Sequence, residues 1–394
     1  MKKISFLLLL LSLLAVLPSR AGGARFSLLT CSPGDEAYSL FGHTALRYCD
    51  EARGVDKVYN YGYFDFDSPN FAWRFILGQT DYLVAYVPYR IFITEYAERG
   101  SSVVEQVLNL DSLQVSRLYR LIETNCRPEN RVYRYNYFYN NCTTKARDKF
   151  IESLGDGYSL AYEAGAKDIP TLRQTLRTYT AAHPWYSFGI DLLMGSDVDR
   201  VSSCDEQQFA PMNLMADLAA ACIVDGEGNR LPAVESTNLL LEENKPLVQR
   251  GNFTPFNAAL VLLIFTFVVM LCELRSRKTF WGYDLLLMTV QGLAGALLLF
   301  MALCSEHPAV DANYVILLLN PIALLLMPVA IYRIIKHLSP VVMWVQVVFV
   351  SLFFLSAIAG LQCYPAPLYF CAVAILVRSL FHIYKDRICE LNIV

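Results

Sequence analysis

The chain has 394 residues, enough for two or three domains, and a formal net charge of −3, which leaves no basic surplus for a nucleic-acid partner. Hydrophobic residues make up 55% of it, and the apolar excess gathers after Thr254. That asymmetry excludes a uniformly water-soluble chain.

Lys2 and Lys3 precede an apolar run over residues 4–17, and small residues follow over 19–23. A charged start, an apolar stretch shorter than the ~20 residues of a spanning helix and a small-residue end predict a secretory signal over residues 1–22.

Residues 24–250 read as an exported α+β domain. Residues 26–30 form a short apolar strand, and Ser32, Pro33, Gly34 and Asp35 mark a turn. Residues 44–48 and 58–66 alternate like paired strands, and 103–110 read as another. A helix is predicted over 111–126: Asp111 caps it, Gln114 completes the capping box, and Leu118, Leu121 and Ile122 line one face. Tyr133, Tyr135, Tyr137 and Tyr139 alternate with polar residues, which predicts a strand with an aromatic face. It runs into Asn140, Asn141, Cys142, Thr143 and Thr144, and a second helix follows, with Ala146, Phe150, Ile151 and Leu154 at helical spacing and Gly155 as its stop.

Six of the eleven cysteines lie in this half: Cys31, Cys49, Cys126, Cys142, Cys204 and Cys222. Cys204 and Cys222 flank a short segment and are expected to pair. No CxxC or Cys/His spacing of metal type occurs, so neither a metal nor another cofactor is expected.

Five apolar stretches follow, at about 255–274, 283–304, 313–332, 341–360 and 365–382, each close to the ~20 residues that match the hydrocarbon thickness. They predict an all-α five-helix transmembrane domain over 255–382 with a tail over 383–394. Arg275, Arg277 and Lys278 follow the first stretch, Arg333 and Lys336 the third, and Arg378, Lys385 and Arg387 end the chain. The alternating loops 305–312 and 361–366 carry no Lys or Arg. The positive-inside rule therefore predicts a cytoplasmic C-terminus and an exported N-terminal domain. On the outer side, Glu306, His307 and Asn313 are candidates for facing the exported domain and contacting a lipid headgroup; the competing reading is a turn followed by a Pro-kinked helix.

The chemistry centres on Cys142. It falls at a helix start, where the macrodipole and free N–H groups favour thiolate. The polar Asn-Asn-Cys-Thr-Thr setting argues against an inert core thiol. Asn141, Thr143 and Arg147 are candidates for oxyanion or supporting roles. A thiol nucleophile needs a base, and this half offers His43 and His183. His43 opens a strand beside Gly42, whereas His183 sits in a loop-like Ala-His-Pro-Trp. His43 is the better candidate. Its orienting partner is Asn60 or Asp65 on the next strand, with Asn60 favoured.

The order of a strand histidine followed by Asn-Cys at a strand-to-helix junction resembles the circularly permuted papain-like (NlpC-type) superfamily. A more specific resemblance is to the Lnb-type lipoprotein N-acyltransferases. It rests on Leu29-Thr30-Cys31-Ser32-Pro33-Gly34, Phe41-Gly42-His43-Thr44-Ala45-Leu46-Arg47, Tyr59-Asn60-Tyr61-Gly62, Asn141-Cys142-Thr143-Thr144 with Arg147-Asp148, and Glu306-His307-Pro308. The resemblance implies a Cys–His acyltransferase that takes a fatty acyl chain from a membrane phospholipid. Its acceptors would be bacterial lipoproteins, acylated on the α-amino group of the diacylglyceryl-cysteine. Two rivals stand beside it: a membrane-anchored thiol peptidase or amidase acting on cell-wall peptide, and a non-catalytic receptor or assembly subunit. Five spans are more than an anchor needs.

Overall fold

The computed structural model describes residues 23–64, 69–162, 169–245 and 251–390. The expected leader over 1–22, Asp65 and the last four residues lie outside the described residues.

The amino-terminal half is built on β1 (Arg25–Cys31), β2 (His43–Asp50), β3 (Val55–Tyr63), α1 (Phe71–Ile76), β4 (Asp81–Pro88), α2 (Tyr89–Glu98), β5 (Val103–Leu108), α3 (Ser112–Asn125), β6 (Val132–Arg134) and α4 (Cys142–Leu154). There follow β7 (Ser159–Ala161), α5 (Leu172–Thr180), α6 (Pro184–Leu193), α7 (Cys204–Gln207), α8 (Pro211–Ala220), β8 (Cys222–Val224), β9 (Arg230–Pro232) and β10 (Val234–Leu241). Seven strands form one antiparallel sheet in the order β10-β5-β1-β2-β3-β4-β6, and β7-β8-β9 form a small second one.

Side-chain alternation decides the two faces of the large sheet. Phe26, Leu28, Leu46, Tyr48 and Tyr59 pack under Val115, Leu118 and Ile122 of α3 and Ala146, Phe150 and Leu154 of α4. Leu29, Cys31, Ala45, Val58 and Val103 take the opposite face, under Phe92 and Tyr96 of α2. The start of α3 is as its sequence predicts: Asp111 accepts the N–H groups of Leu113 and Gln114, and Gln114 reaches back to Asp111.

Two expectations fail. The aromatic strand over 133–139 ends at Arg134. Beyond it, Asn136 Oδ1 accepts the N–H groups of Phe138 and Tyr139, and Asn140 Nδ2 donates to Arg134 O, so asparagine turns override the alternating pattern. Cys204 and Cys222 do not pair; Cys204 opens α7, Cys222 opens β8, and both thiols are free.

Five long apolar helices complete the chain: α9 (Pro255–Ser276), α10 (Trp281–Cys304), α11 (Ile322–Ile335), α12 (Val341–Ile358) and α13 (Ala366–Glu390). A 3-10 turn over Tyr314–Leu317 leads into α11 and extends that span to Tyr314–Ile335. α13 runs on without a break through 383–390, so this part of the expected tail is helical. Arg378, counted above as a terminal charge, lies inside the bundle. It bonds Glu273 and Asp284, while His382 meets Asp284 and Lys385 meets Glu273.

The halves are docked. Gly195 and Ser196 donate backbone N–H groups to Ala309 O and Ala312 O. Gln362 Nε2 donates to Met194 O at 3.0 Å, and Arg177 to Cys363 O at 3.2 Å. The fully buried Arg173 holds the docking segment in shape through Asp191, Asp199 and the carbonyls of Met194 and Gly195.

Candidate active site

Three elements converge at one end of the sheet. β2 brings His43, β3 brings Asn60 and α4 brings Cys142. Asn60 pairs with Ala45 across β2 and β3, so it stands diagonally from His43 on the same face. His43 Nε2 and Asn60 Oδ1 are 3.1 Å apart. The amide oxygen can only accept, so Nε2 carries the proton and Nδ1 is left for the thiol. Asn60 Nδ2 donates to Tyr63 Oη at 3.2 Å, which fixes the amide's orientation. The Tyr96 ring lies parallel to the imidazole, 6.4 Å from it.

The cysteine is the first residue of α4, and Asn141 caps that helix. Asn141 Oδ1 accepts from the N–H groups of Thr143 and Thr144 at 2.9 Å, and its Nδ2 donates to the carbonyls of Tyr137 and Phe209. Its own N–H goes to Thr144 Oγ1. The side chain thus has no donor left for an oxyanion: Asn141 holds the helix start in place. Thr143 Oγ1 lies 3.7 Å from the Cys142 sulfur and 3.2 Å from Thr44 Oγ1. Arg147 points elsewhere, to Asp148 and to Asp205 O and Gln208, and ties α4 to α7.

The electrostatics follow from this packing. Burial opposes ionisation of Cys142, but the His43 charge and hydrogen bonds from His43, the Thr44 backbone and Thr143 bring the thiol down to about 7. Burial alone would lower the His43 pKa; the Cys142 thiolate and the bonds to Cys142 and Asn60 outweigh it and raise the pKa. The arrangement therefore favours a thiolate–imidazolium pair. Cys31, buried nearby against Tyr96, shows the contrast: without a base its thiol is pushed far up.

Glycines make the approach possible. A Cβ on Gly42 would stand 2.5 Å from Cys31 O, and its φ is +83°. Gly62 sits at φ +105° where the β3–β4 register shifts, and a Cβ there would stand 3.8 Å from Cys142 Cβ. Sequence reasoning noted Gly42 and overlooked Gly62, although a lone glycine inside a strand pattern signals a bulge or a close approach. Tyr82, which has no local signal, and Tyr133 and Tyr135 of the aromatic run lie near enough to the thiol to feel its charge. Burial chiefly, and the nearby Cys142 charge, push the Tyr82 phenol up to about 12. His183 is remote from this cluster and faces Asp35 at 3.5 Å.

The residues expected to meet a headgroup are found at the seam between the halves. Glu306 accepts from Gln79 at 2.8 Å and from Arg134 at 2.9 Å. His307 Nε2 donates to Phe75 O at 2.7 Å, and Ser305 Oγ to Ile76 O. Gly78 (φ +72°) allows the contact, since a Cβ there would stand 2.7 Å from His307 N. Tyr137 Oη donates to Pro308 O. Glu306 and His307 also line a cavity of about 440 Å³ with Tyr139, Asp197, Arg200 and Asp311. Asn313 does not fit the headgroup expectation. It is buried, donates to Leu192 O, and accepts from Val315 N and Gln362, so its polar atoms serve the seam.

Among the described residues, no cluster of His, Cys, Asp or Glu forms a candidate metal site. Residues 20–178 match the family model described as the Lnb N-terminal periplasmic domain, and residues 247–387 match the one described as the Lnb transmembrane domain. No curated protein and no solved structure matches the chain.

Proposed function

Because the chain belongs to the Lnb family, we propose that it is a lipoprotein N-acyltransferase. It moves a fatty acyl chain from a membrane phospholipid, through a Cys142 thioester, to the α-amino group of a lipoprotein's diacylglyceryl-cysteine. The observation that carries this reading is a lowered thiol at a helix start, against a histidine held by an amide, in a domain docked on five apolar helices.

In the first half-reaction the Cys142 thiolate attacks the ester carbonyl and a tetrahedral oxyanion forms. The amides of Asn141, Thr143 and Thr144 are taken up by the cap, so the oxyanion donor is assigned to the Cys142 N–H, aided by the helix dipole. The imidazolium of His43 gives its Nδ1 proton to the departing lysophospholipid oxygen, and the thioester remains. In the second half-reaction the lipoprotein amine attacks the thioester. Neutral His43 takes the amine proton, the amide forms, and the thiolate is released. Asn60 keeps Nε2 protonated throughout, which directs Nδ1 to the chemistry.

The cysteine-on-helix, histidine-on-strand arrangement supports a permuted papain-like fold. The loops without Lys or Arg lie on the side that docks the amino-terminal half, at Ala309, Ala312 and Gln362. Arg275, Arg277, Lys278, Arg333 and Lys336 belong to the opposite ends of the spans. This charge division supports a periplasmic active site and a cytoplasmic C-terminus.

Mass spectrometry of lipoprotein N-termini tests the reading. Cells with the wild-type protein are expected to carry N-acylated lipoproteins, and cells with Cys142→Ser to carry free α-amines. N-acylated lipoproteins in the Cys142→Ser cells, with no other N-acyltransferase present, would refute it.

A further inference from the structure

A row of aromatic rings leads from the thiol to the outer end of the helical bundle. Tyr135 stacks on Tyr82 at 4.1 Å, Tyr82 on Phe64 at 5.0 Å, Phe64 on Phe71 at 6.2 Å, and Phe71 on Phe75 at 6.1 Å. At the near end Gly62, two residues before Phe64, lies beside Cys142: a Cβ built on it would stand 3.8 Å from Cys142 Cβ. At the far end the Phe75 ring meets His307 edge-on at 5.7 Å, and Trp73 packs on Phe300 of α10 at 5.3 Å.

The rings are not ordinary core. Tyr82, Tyr135, Phe64 and Phe71 are half-buried, while Trp73 is 54% and Phe75 48% exposed. A chain of partly open aromatic surface is costly in water and favourable where one side meets lipid. The loop that anchors this row is itself fixed to the bundle, because Ser305, Glu306 and His307 bond Ile76, Leu77 and Phe75.

We propose that this row is the seat of the donor's acyl chain: Trp73 and Phe75 receive the chain at the membrane face, and Phe71, Phe64, Tyr82 and Tyr135 guide its ester to Cys142. The occupant is a fatty acyl chain still anchored in the bilayer, and the proposal rests on the thiol acyl-transfer reading above. Aromatic faces hold methylenes without directional demands. The seat therefore discriminates by chain length, each methylene in contact adding to binding.

The test uses the full-length protein in vesicles of phosphatidylethanolamine and phosphatidylglycerol. One set carries palmitoyl donor and the other dioctanoyl donor, and acyl-Cys142 is quantified by mass spectrometry. The readout is the ratio of the two acylation rates. Trp73→Ser with Phe75→Ser is expected to lower the long-to-short preference about tenfold. Both side chains are half exposed, so their loss does not threaten the fold. Phe71→Leu, which keeps the path apolar, is expected to retain most of the preference. A wild-type protein that acylates Cys142 while the double variant keeps its ratio overturns the seat alone. A wild-type protein that forms no acyl-Cys142 from either donor overturns the acyl-transfer reading and the seat with it.

Discussion

Removing the histidine should change the thiol before it changes anything else. In His43→Ala the largest pKa-lowering partner of Cys142 is gone, while the burial that opposes ionisation stays. The thiol returns at least to the ordinary 9.0 from about 7. At pH 7 the thiolate fraction then falls from about a half to about one in a hundred, since each pKa unit is tenfold. A more basic thiolate is also a better nucleophile, with a Brønsted slope of about 0.4–0.5, which returns somewhat less than tenfold. Alkylation of Cys142 by iodoacetamide at pH 7 should therefore slow by roughly fivefold, and the inflection of its pH profile should move from about 7 to 9 or above. Acyl transfer should fall much further, by about 10²-fold or more, because the proton donor to the leaving group is lost as well. Peptide mapping after timed alkylation gives the profile, and Cys126, pushed up to about 11 chiefly by burial, serves as the internal control. An unchanged inflection in His43→Ala would show that the imidazole does not activate this thiol.

Asn60→Ala leaves Nε2 without its acceptor, so acyl transfer should drop about tenfold or more while the thiol inflection moves much less than in His43→Ala; equal shifts in the two variants would contradict the orienting role. Gly42→Ala places a methyl against Cys31 O at φ +83° and should destabilise the protein by about 1–3 kcal/mol, visible as a lowered Tm in detergent. Gly78→Ala pushes on His307 N and should loosen the seam, so proteolysis of the loop around Gly78 should accelerate while Cys142 alkylation at pH 7 stays near wild type. Arg378→Met leaves Glu273 and Asp284 buried without their shared partner and should cost about 3–5 kcal/mol, whereas adding Glu273→Gln and Asp284→Asn should restore most of it; a stable single variant would show the cluster to be dispensable.

Local signals in the sequence were reliable where a short stretch decides its own structure. The Asp111–Gln114 box, the alternation in β1 to β3, Cys142 at a helix start and the five apolar runs all depend on neighbours within a turn or a strand. The pairing of His43 with Asn60 was within reach because adjacent antiparallel strands fix a diagonal. The errors have a common source. The tyrosines over 133–139 have strand propensity, but Asn136 and Asn140 offer the backbone closer partners, and two side-chain bonds outweigh a pattern. Of the oxyanion and supporting roles open to Asn141, the structure favours the second, and the bond of its amide to Phe209 O, 68 positions away, is invisible in the local string. Glu306 and His307 face the amino-terminal half as expected, but their partners there lie 227 and 232 positions earlier and no local signal names them. Polar residues near a membrane surface carry no label saying whether water, lipid or protein satisfies them.

The seam bears on how the two halves work together. A tether needs one apolar helix and no defined contact. Here the outer loops meet the sheet-bearing half at three places: Glu306 and His307 against Gln79 and Phe75, Ala309 and Ala312 against Gly195 and Ser196, and Gln362 and Cys363 against Met194 and Arg177. Arg173 braces the second of these through the Gly195 carbonyl, so the docking loop is built to hold a shape. Two of the three contacts involve a backbone carbonyl or N–H on both sides, which fixes position to a few tenths of an ångström rather than merely attracting. α4 is tied to the same frame, because Asn141 bonds Tyr137 O and Tyr137 bonds Pro308 O. Only two residues of this relay, Tyr137 and Asn141, separate the loop that carries Pro308 from the thiol's own helix. The height of Cys142 above the bundle is therefore set by hydrogen bonds. An enzyme whose substrate dissolves in water would gain nothing from that constraint, whereas one that must meet an ester at a fixed depth in a leaflet depends on it.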